Sequence, residues 1–571
     1  MRLKIVFGLF TILFLSLISR LFYWQIVMGA DLKEQASYQY KGTKTITAPR
    51  GNILSNDGTW LAVMRTNWLL FAELPKIDKT SKEIANLLAP LFVEVEDFPE
   101  AEGGNSRDEY RQALLDENEK IQSALDRKGV VWVPVKRKVT SEIKEKIEEL
   151  NIKGLGFDPE ETRYYPEGSS SAQLLGFVGK DDQGNDTGYF GLEGYYNISL
   201  AGKNGFLQRE KDLSGVPLLT GGLSEIASIP GTDLTTHIDK RIQNSAEEKL
   251  KEGLEKYGAK EGSVIIMDPK TGAIMGMASY PSYDPAKYSE FDGSLYRNPA
   301  ISDTYEPGSV FKVIVMAAGL DAKVIEPDTI CDICDKPYKV DKYYIETWDR
   351  KYHPDSTMTD VLVHSDNVGM SFIAERLGTE KMYEYLDKFG IGKLSGIDLQ
   401  GESNIKLRPK GTWNIVDLAT SSFGQGVSTT PIQMIRASAV IANGGYLVNP
   451  KVVDSGEGIK NERVISEEAA NEATAMMIES AKKGEAKWTD LSGFSVAGKT
   501  GTAQIPIAGH YDAEKTIASF IGFAPANNPK FIMLVTLKEP QSSQWASETA
   551  APLWYAIAKD LFNYFGIQPE N

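Results

Sequence analysis

Glu306-Pro307-Gly308-Ser309-Val310-Phe311-Lys312 is a Pro-Gly turn that runs straight into an apolar helical stretch, residues 310–320. Turn residues followed by such a run place Ser309 at a helix N-terminus. Positions i and i+3 share a helix face, so the Lys312 ammonium can lie beside the Ser309 hydroxyl. A serine needs a neighbouring base to become a nucleophile, and a lysine desolvated among Val310, Phe311 and Val313 can lose its proton and serve as one. Taken alone, the same spacing also describes a helix cap followed by a solvated lysine.

Two more short motifs bear on that choice. Ser365-Asp366-Asn367 stands just before a helical run over residues 368–377. A serine hydroxyl can relay a proton, and an asparagine amide can donate to a carbonyl while accepting from an ammonium. Unsupported, these residues read as a cap. Gly498-Lys499-Thr500-Gly501-Thr502 lies in an otherwise apolar strand. Glycine there lets a ligand approach the backbone, and a lysine beside two hydroxyl residues, Thr500 and Thr502, makes an anion-binding edge. Around the motifs, residues 239–257 have the pattern of an amphipathic helix, with strands at 262–267 and 273–279. Strands at 493–504, 516–523 and 531–537 and a closing helix at 547–565 end the chain. The first and last of these segments are expected to share one antiparallel sheet covered by helices, with residues 300–490 forming a helical lobe.

At 571 residues the chain should hold two or three domains. Its net charge of -16 argues against a nucleic-acid partner, which would require a basic stripe. Arg2 and Lys4 precede an apolar run over residues 5–28, about 36 Å long as a helix and enough to span a bilayer. Arg20 can snorkel, and Tyr23 and Trp24 suit an interfacial belt. The expectation is an uncleaved anchor at 5–28, with residues 1–4 cytoplasmic and the bulk outside. The rival is a signal peptide cleaved near Gly29-Ala30. Residues 31–44 read as a helix lifting the chain off the membrane. Residues 48–58 read as an extended segment ending in an Asp57-Gly58 hairpin turn. Helices are expected at 81–92 and 140–150, with a surface loop at 100–105. From 156 to 219 the pattern is short strands and glycine turns. Gly202-x-x-Gly205 is not followed by the lysine-serine pair or helix of a phosphate loop.

Ser-x-x-Lys, then Ser-x-Asn, then Lys-Thr-Gly-Thr, in that order, resembles the active site of penicillin-binding proteins and serine β-lactamases. Ala48-Pro49-Arg50-Gly51, Gly191-Leu192-Glu193-Gly194, Phe423-Gly424-Gln425-Gly426-Val427 and Ala497-Gly498-Lys499-Thr500-Gly501-Thr502 extend the resemblance, over nearly the full length, to the class B, monofunctional penicillin-binding proteins. Thr429-Thr430-Pro431-Ile432-Gln433-Met434 and Phe520-Ile521-Gly522-Phe523-Ala524-Pro525 look most like the cell-division type. The resemblance implies a multidomain α+β chain: a mixed α/β pedestal at 29–231, a transpeptidase domain at 232–566 and a short tail at 567–571. It further implies a D,D-transpeptidase that cross-links peptidoglycan stem peptides and is acylated by β-lactams. Ser309 would be the nucleophile, Lys312 its base, and Ser365 and Asn367 the proton relay and positioning amide. Lys499, Thr500, Gly501 and Thr502 would hold the substrate carboxylate. No cofactor or metal is implied, and the expected partners are a membrane glycosyltransferase and other division proteins. The middle Asp366 is more usual in β-lactamases, but no Glu-x-x-Leu-Asn segment supplies a deacylating base. The competing readings are a scaffold without chemistry and a β-lactam hydrolase. For Cys331 and Cys334 the readings are a local disulfide, favoured outside the membrane, then free thiols, then zinc with His353 and His364.

Overall fold

The computed structural model describes residues 2–33, 41–93, 106–210, 223–456, 458, 461–489, 491, 493–507 and 510–569. They fall into two compact units, Met1–Gly51 with Ile198–Thr232, and Asn52–Asn197 with Asp233–Asn571.

In the first unit, Arg2–Val27 is a helical stretch long and apolar enough to cross a membrane, none of its apolar window buried. Further along, Lys41–Ile46 is a strand, not the end of the expected helix. It pairs antiparallel with Gly205–Glu210, which pairs in turn with Leu223–Ile226. Thr43, Thr45 and Ile46 are β-branched and favour a pleated ladder over a helix. Residues 34–40 of that expected helix, and the loop expected at 100–105, lie outside the described residues.

The second unit begins with a sheet built on Trp60–Glu73, flanked by Trp132–Val139 and Leu155–Tyr164. The Asp57-Gly58 turn precedes it as expected, with Ser55 N donating to Thr59 O and Gly58 at φ 79°. Ser81–Phe92 is started by a Thr80–Glu83 capping box. Its Ile84 and Leu88 bury against Leu70, Ile121, Val133 and Ile147. A hairpin, Phe177–Lys180 with Asp186–Tyr189, leads to the buried pair Arg163–Glu193, whose Nε–Oε1 distance is 2.6 Å.

The rest of this unit is organised around one five-stranded antiparallel sheet. In chain order its elements are α1 (Lys240–Tyr257), β1 (Glu261–Met267), β2 (Ile274–Tyr280), α2 (Lys312–Asp321), α3 (Asn367–Lys388), α4 (Pro431–Ala442), α5 (Glu467–Lys483), β3 (Ala497–Ile507), β4 (His510–Ala524), β5 (Phe531–Lys538) and α6 (Ala550–Phe565). The strand order is β2-β1-β5-β4-β3, so the first and last segments do share the sheet. Val264 and Ile266 of β1, Met533 and Val535 of β5 and Phe520 of β4 bury against Leu250 of α1 and Trp554 of α6, whose indole N–H donates to Met533 O. On the other side, α2 is buried all round, Lys312 through Leu320, as befits the central helix of a lobe. β3 stands at the edge of the sheet, with β4 its one strand partner among the described residues. Cys331 and Cys334 are joined as a disulfide, which removes both sulfurs as zinc ligands. His353 and His364 stack on one another 4.0 Å apart instead.

Candidate active site

Gly308–Phe311 is a single 3-10 turn, closed by Lys312 N–H donating to Ser309 O, and α2 continues from it. In a 3-10 turn the side chains at i and i+3 eclipse, so Ser309 and Lys312 are set on one face more tightly than an α-helix would set them. The turn is braced from two sides. Gly308 N donates to Gly424 O, and a Cβ on Gly424 (φ +80°) would fall 2.3 Å from Gly308 O. On the other side a Cβ on Gly501 would fall 3.0 Å from Val310 N, so β3 can lie against the turn because residue 501 has no side chain. Glu306 ties in two further segments. Its Oε1 accepts from Gly426 N at 3.0 Å, and its Oε2 accepts from the Tyr511 hydroxyl at 3.0 Å.

Lys312 is fully buried, and its ammonium donates to Ser365 O at 2.6 Å, Asn367 Oδ1 at 2.8 Å and Ser365 Oγ at 3.3 Å. Ser365 can present both oxygens because its backbone is left-handed, φ 54°. Asp366 is the N-cap of α3, accepting from Val368 N at 2.7 Å and Gly369 N at 3.3 Å, and burial pushes its carboxyl up. The capping expected of it is what its side chain does, and it leaves Ser365 and Asn367 aimed at the lysine. Asn367 Nδ2 donates to Glu346 O, which fixes the amide so that its oxygen faces Lys312. Burial, and next the neighbouring Lys499 charge, pulls the Lys312 ammonium down to about 7.

Across the cleft, Lys499 is buried, and its Nζ donates to Thr500 O and Thr500 Oγ1, both at 3.1 Å. The Thr500 hydroxyl donates to Glu485 Oε2 at 2.9 Å. Thr502 Oγ1 accepts from Ala546 N at 3.0 Å, which orients that hydroxyl at the rim. Beside Asn367 opens a groove of about 710 Å³, lined by Tyr343, Tyr344, Glu346, Asp417 and Gln425 among others.

The three motifs thus converge. Ser365 and Asn367 bond Lys312 directly, while β3 packs on the turn that carries Ser309. Gly501 has a backbone role here, the close approach to Val310, and no side chain to offer a ligand. Two carboxylates complete the surroundings: Glu306, in the turn before Ser309, whose role shows only in its two hydrogen bonds, and Glu485, which follows a helix end with nothing in its local sequence to mark it.

The chain matches the model of the penicillin binding protein transpeptidase domain over residues 262–562. It matches the penicillin-binding protein dimerisation domain over residues 45–236. Stage V sporulation protein D of Bacillus subtilis (strain 168) is 32% identical over 580 residues, covering 98% of this chain and 85% of that protein. The probable peptidoglycan D,D-transpeptidase PenA of Neisseria meningitidis serogroup A is 30% identical over 572 residues, covering 100% and 93%. In fold, penicillin binding protein 2X of Streptococcus thermophilus superimposes with a TM-score of 0.72 at 23% identity, covering 92% of this chain and 80% of that one. A buried lysine held by a Ser-x-Asn segment beside a serine-bearing turn, on a chain matched by both models and by full-length relatives, belongs to the penicillin-binding proteins that carry a transpeptidase domain.

Proposed function

We propose that this chain is a peptidoglycan D,D-transpeptidase working through a Ser309 acyl-enzyme. The observation that carries the reading is the Lys312 ammonium, buried and hydrogen-bonded to Ser365 and Asn367 one 3-10 turn from Ser309. Neutral Lys312 takes the Ser309 Oγ proton as Oγ attacks the carbonyl carbon of the penultimate D-alanine. Backbone N–H groups of Ser309 and Thr502 hold the oxyanion, a role in which one donor is typically worth about 3–4 kcal/mol. The C–N bond breaks, and Ser365 passes the proton from Lys312 to the leaving amine, so that terminal D-alanine departs. An amine of a second stem peptide then attacks the ester, forming the cross-link and returning the proton to Ser309. Lys499, Thr500 and Thr502 grip the terminal carboxylate, and Gly501 lets that strand sit close. A β-lactam enters the same path and stays as the acyl-enzyme.

In this reading residues 5–28 anchor the chain with residues 1–4 cytoplasmic. Residues 29–231 form the pedestal, and residues 232–566 work on the wall outside. The resemblance to the cell-division type favours septal wall synthesis beside a membrane glycosyltransferase. Similarity to a protein named for sporulation stage V supports a second setting, wall synthesis in sporulation. Imaging a functional tagged copy separates them, since signal confined to sporulating cells excludes the septal role.

The enzymatic reading is tested by labelling with a fluorescent penicillin. Wild type should form a covalent adduct and Ser309→Ala none, with unchanged melting. A folded wild type that takes up neither penicillin nor a D-alanyl-D-alanine thioester analogue would leave only the scaffold.

A further inference from the structure

Glu485 follows Gly484, just past the end of α5, and reaches the site from behind. Its Oε2 accepts from Thr500 Oγ1, and the same hydroxyl oxygen accepts from Lys499 Nζ. One hydroxyl therefore separates a carboxylate from a buried ammonium. Behind these groups lies a chamber of about 110 Å³ lined by Glu485, Asp366, Thr347, His353 and His364 among others. Asp366 Oδ2 and Thr347 Oγ1, both buried, find no partner among the described residues. A polar chamber of that size has room for water, and the two carboxylates share its lining.

Two buried lysines thus share the site with two carboxylates, and the connections are unequal. Asp366 stands beside the segment that bonds Lys312, and Glu485 is hydrogen-bonded through Thr500 to Lys499. Further charged or titratable groups reach the chamber from the preceding loop, Asp349 and Lys351, and from the end of α5, Lys483. Burial pulls the Lys499 ammonium down, and the Glu485 charge opposes that pull. A lysine that must grip a carboxylate has to keep its proton while its neighbour, the base, gives one up.

We propose that Glu485 is a positioning residue: acting through Thr500, it keeps Lys499 charged as the carboxylate-binding cation while Lys312 works as the base. The proposal rests on the reading of Ser309 and Lys312 as the acylating pair. Its test is the pH profile of single-turnover acylation by a fluorescent penicillin, measured on the full-length protein in detergent from pH 6 to 10. Glu485→Gln keeps the size and an acceptor for Thr500 but removes the charge. Its alkaline limb should move about one pH unit to the acid side, so that acylation on that limb falls up to about tenfold below wild type. The acid limb should move less. Glu485→Asp, which retains charge if not reach, should fall between the two. Superimposable limbs overturn the proposal, as does a loss uniform over all pH values or an Asp variant shifted as far as Gln. A wild type that is not acylated at any pH removes the acylation reading itself, an outcome distinct from superimposable limbs.

Discussion

Lys312 is a cation that the fold must hold without water, and the three acceptors around its ammonium leave the charged form only partly compensated. Its folded pKa of about 7 lies below the 10.5 of a free lysine. Between those values the unfolded chain binds a proton that the native chain does not, so this group makes the protein more stable as pH rises from 7 to 10.5. Lys312→Met removes the group and should abolish penicillin acylation. It should also be more stable relative to wild type at pH 7 than at pH 10, the gap narrowing by up to about 1.4 kcal/mol per pH unit. Urea unfolding at pH 7, 8.5 and 10 checks this, and a gap independent of pH would mean that the lysine is not held in its depressed state. Lys312, Ser309, Asn367 and Lys499 were legible in the chain because each sits in a motif only a few residues long. Glu485 was not, because its partner Thr500 lies 15 residues away and meets it only when α5 and β3 pack.

The turn at Ser309 owes its position to what lies against it. Gly424, φ +80°, stands where a Cβ would meet Gly308 O at 2.3 Å. Gly424→Ala must push the Ser309 turn away from its neighbours and carries left-handed strain of about 1–3 kcal/mol besides. Because a displacement of about 1 Å can lower catalysis about 10²-fold, acylation should fall by that order while the protein still folds. An acylation rate equal to wild type would show that the turn is held by other contacts. The long amphipathic helices, the strands at 262–267 and 531–537, and the Asp57-Gly58 turn could be read ahead because period, turn chemistry and capping agree locally. The strand Lys41–Ile46 could not be so read. Its charged flanks imitate a helix, and its ladder partner Gly205–Glu210 is more than 150 residues away in the chain. The Phe423-Gly424-Gln425-Gly426-Val427 segment was legible only as a resemblance, and its physical reason is the backbone contact with Gly308.

Within the larger unit, the segment carrying Phe177 packs against the residues that follow β2. Phe177 stacks on Tyr288 with centroids 4.2 Å apart and meets Tyr296 at 4.9 Å and Tyr283 at 6.3 Å. Gln173 Nε2 donates to Pro281 O, Tyr283 OH to Ala172 O, and Ser171 N to Glu247 Oε1 on α1. Sequence pattern places a boundary near residue 232, yet these contacts cross it, because an aromatic cluster needs rings from both sides to exclude water. Phe177→Ala opens a cavity among tyrosines that cannot close over it and should destabilise the unit by about 3–5 kcal/mol. If residues 165–197 and the sheet unfold together, calorimetry of the variant should give one transition moved to lower temperature, with penicillin acylation at low temperature retained because the cluster touches neither lysine. A transition that splits in two, leaving the sheet's melting where it was in wild type, would mean that the segment folds by itself and only rests on the catalytic body.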